Sequence, residues 1–361
     1  MNNRVTSLHA HAGNPAVATL ARPAKPCDAL LLLNLGSPDS PSVSDVRKYL
    51  GEFLMDEKVI DAPYLVRSMI VKGFILPFRP KRSAHAYMKV WTKEGPPLKV
   101  ITESFKKEIE ELVDMPVAVA MRYGNPTPAA AIEELKQKGD FNQLYIAPLY
   151  PHYAMSSYET AVEHALRNVD ESVSVKVLKP FYNEEDYIDS LTESIKPYLR
   201  GHVLFSYHGL PVRHLKKLNS HCYSGPDCCS VPNKAWDTCY KHQVSETTKL
   251  VAQKLGLKED QYSLSFQSRL GRDEWIKPFT VELLQSYPAK GIKDLVIVCP
   301  AFVADCLETL EEIAIAGKEI FLNAGGESFT VVPCLNTFKP WVKTFASWCN
   351  EREAQHSELW A

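Results

Sequence analysis

The residues best suited to chemistry in this sequence are one histidine and a row of carboxylates, each placed after an apolar run. The run 203–205 leads to His208. A second run of the same kind is followed by Asp305, Glu308 and Glu312. Their spacing of three and four residues predicts that the three carboxylates share one helix face. An imidazole can accept a proton near neutral pH or bind a metal ion, and a carboxylate row suits a cation in transit or the collection of protons.

Both apolar runs are typical of buried parallel strands, whose carboxyl ends form the ligand-binding edge of an open α/β sheet. A strand, a polar or aromatic exit and a helix recur along the whole chain. We therefore expect an α/β fold of two similar halves with parallel sheets, joined near residue 180. The predicted segments are an extension 1–28, a first half 29–180 with an apolar segment 63–80, a second half 181–350 with a cysteine loop 212–240, and a polar tail 351–361 that we expect to be frayed.

Composition narrows the class of protein. The chain has 361 residues, with 41 Lys and Arg against 43 Asp and Glu, so its charge gives no case for nucleic-acid binding. The sequence contains no apolar run of the roughly 18–20 residues that a membrane-spanning helix needs. Residues 1–28 carry no acid before Asp28, which suits a transit peptide, but their weak apolar face favours a disordered extension. Nine cysteines without a visible signal peptide indicate a reducing cytoplasm.

The segment 63–80 is the most apolar stretch without strand flanks. One interpretation is a core helix that ends at Gly73. The other is an exposed lip that meets a membrane or a greasy ligand, with a rim of cations that comprises Arg67, Lys72, Arg79, Lys81 and Arg82. The lip is favoured because residues 74–78 continue the apolar run without a helical period. Peripheral contact with the inner face of a membrane stays open. The following stretch, 87–98, is predicted to be an aromatic loop.

Six motifs in order give the sequence a family resemblance. They are Leu33-Asn-Leu-Gly-Ser-Pro38, Met121-Arg-Tyr123, Tyr150-Pro-His-Tyr153, Phe205-Ser-Tyr-His-Gly-Leu-Pro211, Phe266-Gln-Ser-Arg269 with Trp275, and Cys299-Pro-Ala-Phe with Glu308-Thr-Leu. With these motifs the chain resembles the ferrochelatases, which insert ferrous iron into protoporphyrin IX in the last step of heme synthesis. The resemblance covers about residues 29–345. It implies two Rossmann-like halves with a porphyrin cleft between them.

The resemblance also implies roles for particular residues. His208 would accept pyrrole protons or hold the iron that faces the ring, and Glu308 would be its partner across the disc. Asp305 and Glu312 would extend Glu308 into a path for iron or protons. Porphyrin is a flat apolar disc with two propionates, so its site needs apolar walls and a few cations. The candidate contacts are Leu35, Tyr87, Tyr123, Tyr150, Trp275 and Phe302 for the walls, and Arg79, Lys81 and Arg122 for the propionates.

Three positions depart from the wider family pattern. Cys306 stands where many members have histidine, and His152 stands where glutamine is common. Pro96 replaces a serine, which removes a hydroxyl that could contact a propionate.

The loop 212–240 holds four of the nine cysteines, Cys222, Cys228, Cys229 and Cys239. By resemblance to family members with an internal cysteine loop, these four would ligate a two-iron, two-sulfur cluster. A zinc site with the same four, or with His221 in place of one, is the chief alternative. Adjacent Cys228 and Cys229 match no common zinc-finger spacing, which favours the cluster. Its role would be structural or sensory, because the insertion of ferrous iron transfers no net electron.

Two other functions remain open at this stage. The same chemistry could act on coproporphyrin or on a cobalt-accepting corrinoid precursor, although the apolar segment 63–80 favours the greasier protoporphyrin. A heme- or iron-sulfur-binding sensor without turnover is the second class, and the presence of both His208 and Glu308 argues against it.

Overall fold

The computed structural model describes residues 27–218, 228–229, 231–271 and 273–361. Of the predicted extension 1–28, residues 1–26 lie outside this part, and Cys27 and Asp28 already belong to the first strand.

In the described residues, eight strands form two separate parallel sheets. The first sheet has the order β2-β1-β3-β4 and the second has the order β6-β5-β7-β8. The strands are β1 (Cys27–Ser37), β2 (Val117–Gly124), β3 (Phe141–Pro148), β4 (Ser174–Val177), β5 (His202–His208), β6 (Tyr262–Gln267), β7 (Asp294–Val298) and β8 (Ser328–Val331). The two halves thus repeat one strand order, and the predicted α/β architecture is confirmed.

Helices connect the strands and cover the sheets. The α-helices are α1 (Val43–Leu54), α2 (Tyr64–Ser68), α3 (Arg79–Val90), α4 (Pro97–Glu110), α5 (Pro128–Lys138), α6 (Thr160–Leu166), α7 (Glu185–Ile195), α8 (Val212–Leu218), α9 (Tyr240–Lys254), α10 (Thr280–Ser286), α11 (Lys318–Asn323) and α12 (Lys339–Asn350). Within the ranges that the structure describes, three π-helices span Met69–Ile75, Met155–Glu159 and Glu308–Gly317, and short 3-10 turns span Lys196–Tyr198, Pro288–Lys290 and Ser357–Leu359. The side chain of Ser42 caps α1 by accepting a hydrogen bond from the Asp45 amide at 3.2 Å.

The prediction of an aromatic loop from residue 87 is wrong at its start, because Tyr87 lies within α3. The helix is amphipathic, and its buried residues Pro80, Ala84 and Tyr87 are spaced four and three apart. Pro80 is tolerated because it lies in the first turn, where the backbone amides need no partner within the helix.

One hydrophobic cluster joins the two halves. Helix α12 packs against α4 of the first half and against α7. Trp341 of α12 stacks on Phe105 with ring centroids 6.0 Å apart and on Phe181 at 5.7 Å. Residues of both sheets belong to the same cluster. The two sheets are therefore held together by shared packing.

The polar segment 351–361 is packed rather than frayed, which corrects the expectation from its composition. Ala361 and Val177 exchange backbone hydrogen bonds of 2.7 and 2.9 Å, so the segment extends the edge of the first sheet at β4. Trp360 is buried, and its ring meets Tyr145 with centroids 5.1 Å apart. Two buried apolar residues, Leu359 and Trp360, thus anchor a segment that is mostly polar.

The segment 63–80 forms α2 and the first π-helix, and most of its large apolar side chains face solvent. Leu65 is 80% exposed and Phe78 is 75% exposed, and Tyr64, Met69 and Phe74 are also open to solvent. Gly73 lies inside the π-helix and does not end it. This arrangement agrees with the lip and not with a core helix. In the part of the chain that the structure describes, no helix is both long and apolar enough to cross a membrane.

Candidate active site

His208 ends β5 at the carboxyl edge of the second sheet. Its ring Nδ1 lies 2.8 Å from the carbonyl oxygen of Gly209. A carbonyl can only accept, so Nδ1 carries a proton, and Nε2 is the nitrogen of the neutral ring that can take up a proton or bind a metal. Tyr240 donates its hydroxyl to the His208 carbonyl at 2.9 Å. The backbone that carries the imidazole is therefore fixed from α9.

Glu308 and Glu312 lie on the third π-helix, which begins at Glu308. This type of helix is often found at functional sites. Residue Gln267, which pairs with His208 across β5 and β6, donates its side-chain amide to the Glu308 carbonyl at 3.1 Å. Ser268 follows directly and donates its backbone amide (2.9 Å) and its hydroxyl (2.6 Å) to the two carboxylate oxygens of Glu312. The end of β6 thus positions both acidic residues.

Asp305 does not share this face, which corrects the prediction of three carboxylates in one row. It precedes the helix, and both of its carboxylate oxygens are already bound. Thr309 donates to one oxygen at 2.7 Å, and the side-chain amide of Asn336 donates to the other at 2.7 Å. Asp305 therefore fixes the entry to the π-helix.

The strand register and these hydrogen bonds bring His208, Glu308 and Glu312 to the same end of β6. Burial raises the pKa of the Glu312 carboxyl, and the negative charge of Glu308 raises it further. His208 and the hydrogen bonds from Ser268 oppose this shift. A carboxyl with a raised pKa can hold and release protons nearer neutral pH than an exposed one.

Arg79 and Tyr87 of α3 face the same acidic group from the first half. Removal from water lowers the pKa of Arg79, as does the neighbouring charge of Arg82, whereas Glu308 and Glu312 act in the opposite direction. Burial raises the pKa of the Tyr87 hydroxyl well above its usual value, and Glu308 adds to this. A cation and a phenol of the first half therefore lie within electrostatic reach of carboxylates of the second.

Apolar side chains from both halves meet beside these groups. Leu35 lies near the end of β1, and Phe302 follows β7. Both side chains pack against one small cluster that consists of Leu98, Ala304 and Cys306. Gly36 allows β1 to pass close to β2, since a Cβ there would lie 1.9 Å from the Tyr123 carbonyl oxygen. Both predicted walls are thus adjacent to the acidic helix.

Three other predicted contacts already form hydrogen bonds or an ion pair within the protein. Arg122 binds Asp56 and donates to Thr160 at 2.8 Å, and Tyr123 donates its hydroxyl to Asp56 at 2.9 Å. Both side chains are tied into a cluster at the edge of the first sheet. Trp275 donates its indole to the Leu270 carbonyl at 3.1 Å. Lys81 is exposed on α3.

Tyr150 packs in the apolar cluster on one face of the first sheet. Its hydroxyl is buried and has no hydrogen-bond partner within the described part of the chain. A buried polar atom without a partner is unusual, so this hydroxyl is available to a ligand or to water.

Two of the family departures can now be placed. His152 is buried between Tyr207 and Tyr240, and burial lowers its pKa to about 3, so the ring is neutral at physiological pH. The Cys306 thiol is hydrogen-bonded to Glu308, and burial raises its pKa well above the usual value. A neutral thiol therefore stands next to the carboxylate of the candidate site. Pro96 immediately precedes α4.

Three of the four loop cysteines lie close together, while Cys222 and His221 fall outside the described residues. The Cys228 and Cys229 sulfurs are 4.0 Å apart. A hydrogen bond with Cys239 raises the pKa of Cys229, as does burial. Metal–sulfur bonds of about 2.3 Å in a tetrahedral site place two sulfurs about 3.8 Å apart, so the Cys228–Cys229 separation is compatible with two such bonds. Within the described residues alone, no group of three potential ligands has a metal-binding arrangement.

Sequence reasoning missed the residues that support the site. Tyr49 donates its hydroxyl to the Gly36 carbonyl at 3.1 Å and meets the Tyr87 ring edge to face. Gln267 and Ser268 belonged to a recognised motif, but their role required knowledge of which helix packs over β6. For Tyr49, the sequence offered one signal: its position on the apolar face of the amphipathic helix α1, which indicates a buried tyrosine.

Comparisons with known proteins identify the family of the chain. The chain matches the family model described as Ferrochelatase over residues 27–353. It is 47% identical over 337 residues to a protein of Ectopseudomonas mendocina named ferrochelatase, with 91% of this chain and 98% of the relative covered. A protein of the same name from Opitutus terrae is 46% identical over 335 residues, with 89% and 96% covered. Among solved structures, SirB from Bacillus subtilis with Fe³⁺ has a TM-score of 0.53 at 14% identity and covers 92% of this chain and 97% of its own, which supports the fold.

Proposed function

Since the chain belongs to the ferrochelatase family, whose members insert ferrous iron into a porphyrin for heme synthesis, we propose that His208 and Glu308 carry out the insertion. The observation that carries this proposal is the placement of His208, Glu308 and Glu312 at the carboxyl edge of the second sheet, where Gln267, the register partner of His208, binds the Glu308 backbone and Ser268 binds the Glu312 carboxylate. A base, two carboxylates and apolar walls at one position match the needs of a reaction that removes protons from an apolar ring.

Metal insertion requires two pyrrole protons to leave and the iron to lose its water ligands. His208 accepts a pyrrole proton at Nε2, because its Nδ1 proton is held by the Gly209 carbonyl. Imidazole is also a suitable ligand for ferrous iron, so the same nitrogen can face the metal. Glu308 stands as its partner across the disc. Glu312, with its raised pKa, takes protons onward from Glu308.

The porphyrin lies between the two halves, with Leu35 and Phe302 against its faces and Tyr87 beside it. Arg79 binds a propionate in this proposal, since it couples electrostatically to Glu308 and Glu312 and forms no ion pair within the described part of the chain. The exposed apolar lip favours protoporphyrin IX over coproporphyrin, because two further carboxylates would require more cations. Arg122 is less suited to a propionate than predicted, because Asp56 already neutralises it.

Cys222, Cys228, Cys229 and Cys239 hold a two-iron, two-sulfur cluster in this proposal. Its support is the convergence of the three described thiols and their all-sulfur chemistry. When bound, the cluster would supply redox sensitivity and a covalent link between the loop and α9. Cys239 immediately precedes α9, whose Tyr240 holds the His208 backbone. A change in the loop after loss of its ligands would therefore be transmitted to β5 through Tyr240, the residue next to Cys239.

The lip is proposed to contact a membrane surface peripherally. The support is its contiguous exposed apolar side chains together with the exposed cations Lys72 and Lys81. Vesicle flotation tests this proposal, because Leu65→Ser should reduce the bound fraction whereas Leu166→Ser, at an exposed leucine outside the lip, should not.

The experiment that tests the function is a metal-insertion assay on protein purified without oxygen, with ferrous iron and either protoporphyrin IX or coproporphyrin. We expect heme formation with a higher kcat/KM for protoporphyrin IX. Preference for coproporphyrin would overturn the substrate assignment, and failure with both porphyrins would overturn the function.

A visible spectrum and iron and sulfide analysis of the same sample test the loop. A brown protein that loses its colour in Cys239→Ser and keeps it in Cys349→Ser supports the cluster. Stoichiometric zinc in a colourless active protein would assign the loop to zinc instead. Cys349 is a suitable control because it is buried in α12, away from the loop.

A further inference from the structure

A polar cavity of about 320 Å³ lies at the edge of the first sheet, between the end of α1, α2 and α6. Its lining residues are mostly charged, and they are Met55, Asp56, Glu57, Lys58, Arg67, Arg122, Thr160, Glu163 and Arg167. His208, Glu308 and Glu312 are not among them. The cavity therefore needs an explanation other than the catalytic groups.

Arg67 is the unusual member of this lining. Its side chain belongs to α2 and is only 7% exposed. It donates to the Ala62 carbonyl at 2.7 Å, but its Nε is buried without a hydrogen-bond partner in the described part of the chain. No carboxylate lies within ion-pair distance of Arg67 among the described residues. Arginine is almost never buried unless it is paired, so this guanidinium has an unused donor and an uncompensated charge.

The other cations of the cavity are already compensated. Arg122 pairs with Asp56, whose pKa stays low despite burial because Thr160, the Lys58 amide and Arg122 favour the charged form. Lys58 pairs with Glu159 and with Glu163, the latter at 2.7 Å. These pairs fix the wall of the cavity and leave Arg67 as the group that a ligand would satisfy.

The chemistry of the site indicates a phosphate. A guanidinium presents planar, fixed donors that match phosphate oxygens, and the volume is larger than a single carboxylate requires. The helix that carries Arg67 also carries Tyr64, Leu65 and Val66, which are exposed. A ligand with a phosphate next to an apolar portion could contact Arg67 with its phosphate and the exposed apolar side chains of α2 with its apolar portion.

We propose that this cavity binds the phosphate group of a ligand through Arg67, with Lys58, Arg122 and Thr160 as the surrounding wall. The phosphate belongs either to an anionic lipid whose chains lie on the lip or to a soluble phosphate compound. The two sources share the same contact with Arg67 and differ in whether a bilayer is needed.

The test uses the full chain and two matched variants. Arg67→Gln removes the charge inside the cavity, whereas Lys72→Gln removes an exposed cation of the same lip outside it. Inorganic phosphate is titrated by calorimetry against a sodium chloride control of equal ionic strength. Flotation is measured with phosphatidylcholine vesicles with and without phosphatidic acid. Porphyrin insertion in detergent checks that each variant is folded.

With a soluble source, inorganic phosphate binds the parent and Lys72→Gln, and Arg67→Gln weakens binding by about tenfold or more, the scale of one charge-assisted hydrogen bond. With a lipid source, phosphatidic acid recruits the parent strongly and Lys72→Gln somewhat less, because one surface cation of the lip is lost, but it does not recruit Arg67→Gln, and inorganic phosphate has little effect. The proposal is overturned if Arg67→Gln inserts iron normally and matches Lys72→Gln in both assays.

If Arg67→Gln does not fold, Arg167→Gln replaces it, because Arg167 lines the cavity and its side chain is largely exposed. A smaller loss of phosphate or phosphatidic acid binding in that variant supports the proposal. Binding equal to that of Lys72→Gln contradicts it.

Discussion

The two halves have the same strand order but place different chemistry at equivalent positions. Strand β1 of the first sheet ends in Leu35, Gly36 and Ser37, whereas the equivalent β5 of the second ends in His208. Beside β1, strand β2 carries Arg122 near its end, and Asp56 neutralises this arginine. Beside β5, strand β6 leads into Gln267 and Ser268, which hold the acidic helix. The fold defines the edge where a ligand binds. The side chains of the first half form the apolar wall of the site, and those of the second half carry out the reaction.

The comparison predicts that changes in the second half reduce kcat, whereas changes in the first half raise KM. His208→Ala should have the largest effect. We expect kcat to fall by about 10²–10⁴-fold, the range of a lost general base, with porphyrin binding retained. Insertion assays and porphyrin fluorescence titration measure the two quantities. His202→Gln, at the other end of the same strand, is the control and should stay near the parent activity. A kcat for His208→Ala within threefold of the parent value would contradict the assignment of the reaction to the second half.

Glu308→Gln should follow, with kcat lower by about 10²-fold because the amide cannot accept a proton or carry charge opposite the iron. Glu311→Gln is the matched control on the same π-helix, since Glu311 faces Lys89 of α3 at 2.9 Å. Steady-state rates with saturating porphyrin distinguish the two variants. Equal losses in both would show that the helix needs its acidic residues for packing and not for reaction.

Leu35→Ala tests the first half. Loss of apolar contact with the disc should raise the KM for porphyrin by about tenfold, while kcat changes little. Leu166→Ala, an exposed leucine of α6, makes the same change away from the cleft. If Leu35→Ala lowered kcat as strongly as Glu308→Gln, the division between wall and reaction would be wrong.

The smallest expected effect concerns pH. Because the fold raises the pKa of Glu312, the folded protein binds this proton more tightly than the unfolded chain does. The stabilisation of the parent relative to Glu312→Gln should therefore be complete below the usual glutamate pKa of about 4.3 and decline as pH rises through the raised value. Denaturant unfolding of both proteins at several pH values measures the difference. A difference that grows with pH would show that the hydrogen bonds from Ser268 outweigh burial.

The sequence was sufficient for the strands and for the placement of His208, because buried parallel strands leave long apolar runs that end at polar residues. It was not sufficient for the acidic helix. A spacing of three and four residues suits an α-helix, and nothing in the sequence indicated that Asn336, far along the chain, would bind Asp305 before the helix begins.

Similar reasons explain the other differences. The basic stretch that opens α3 is strongly polar, so its buried residues Ala84 and Tyr87 are a weak periodic signal. Arg122 was predicted from its position at a strand exit, but its partner Asp56 lies 66 residues away in sequence. Contacts of this range depend on packing, whereas the apolar pattern of a strand is local.

The backbone pairing of Val177 with Ala361 has a consequence for the order of synthesis. The edge of the first sheet is completed by residues that leave the ribosome only after the whole second half has been made. The first half therefore emerges early but cannot reach its final structure until the contact between Trp360 and Tyr145 has formed. During translation the outer edge of β4 stays unpaired and exposed. We therefore expect a chaperone to bind the nascent chain at this strand.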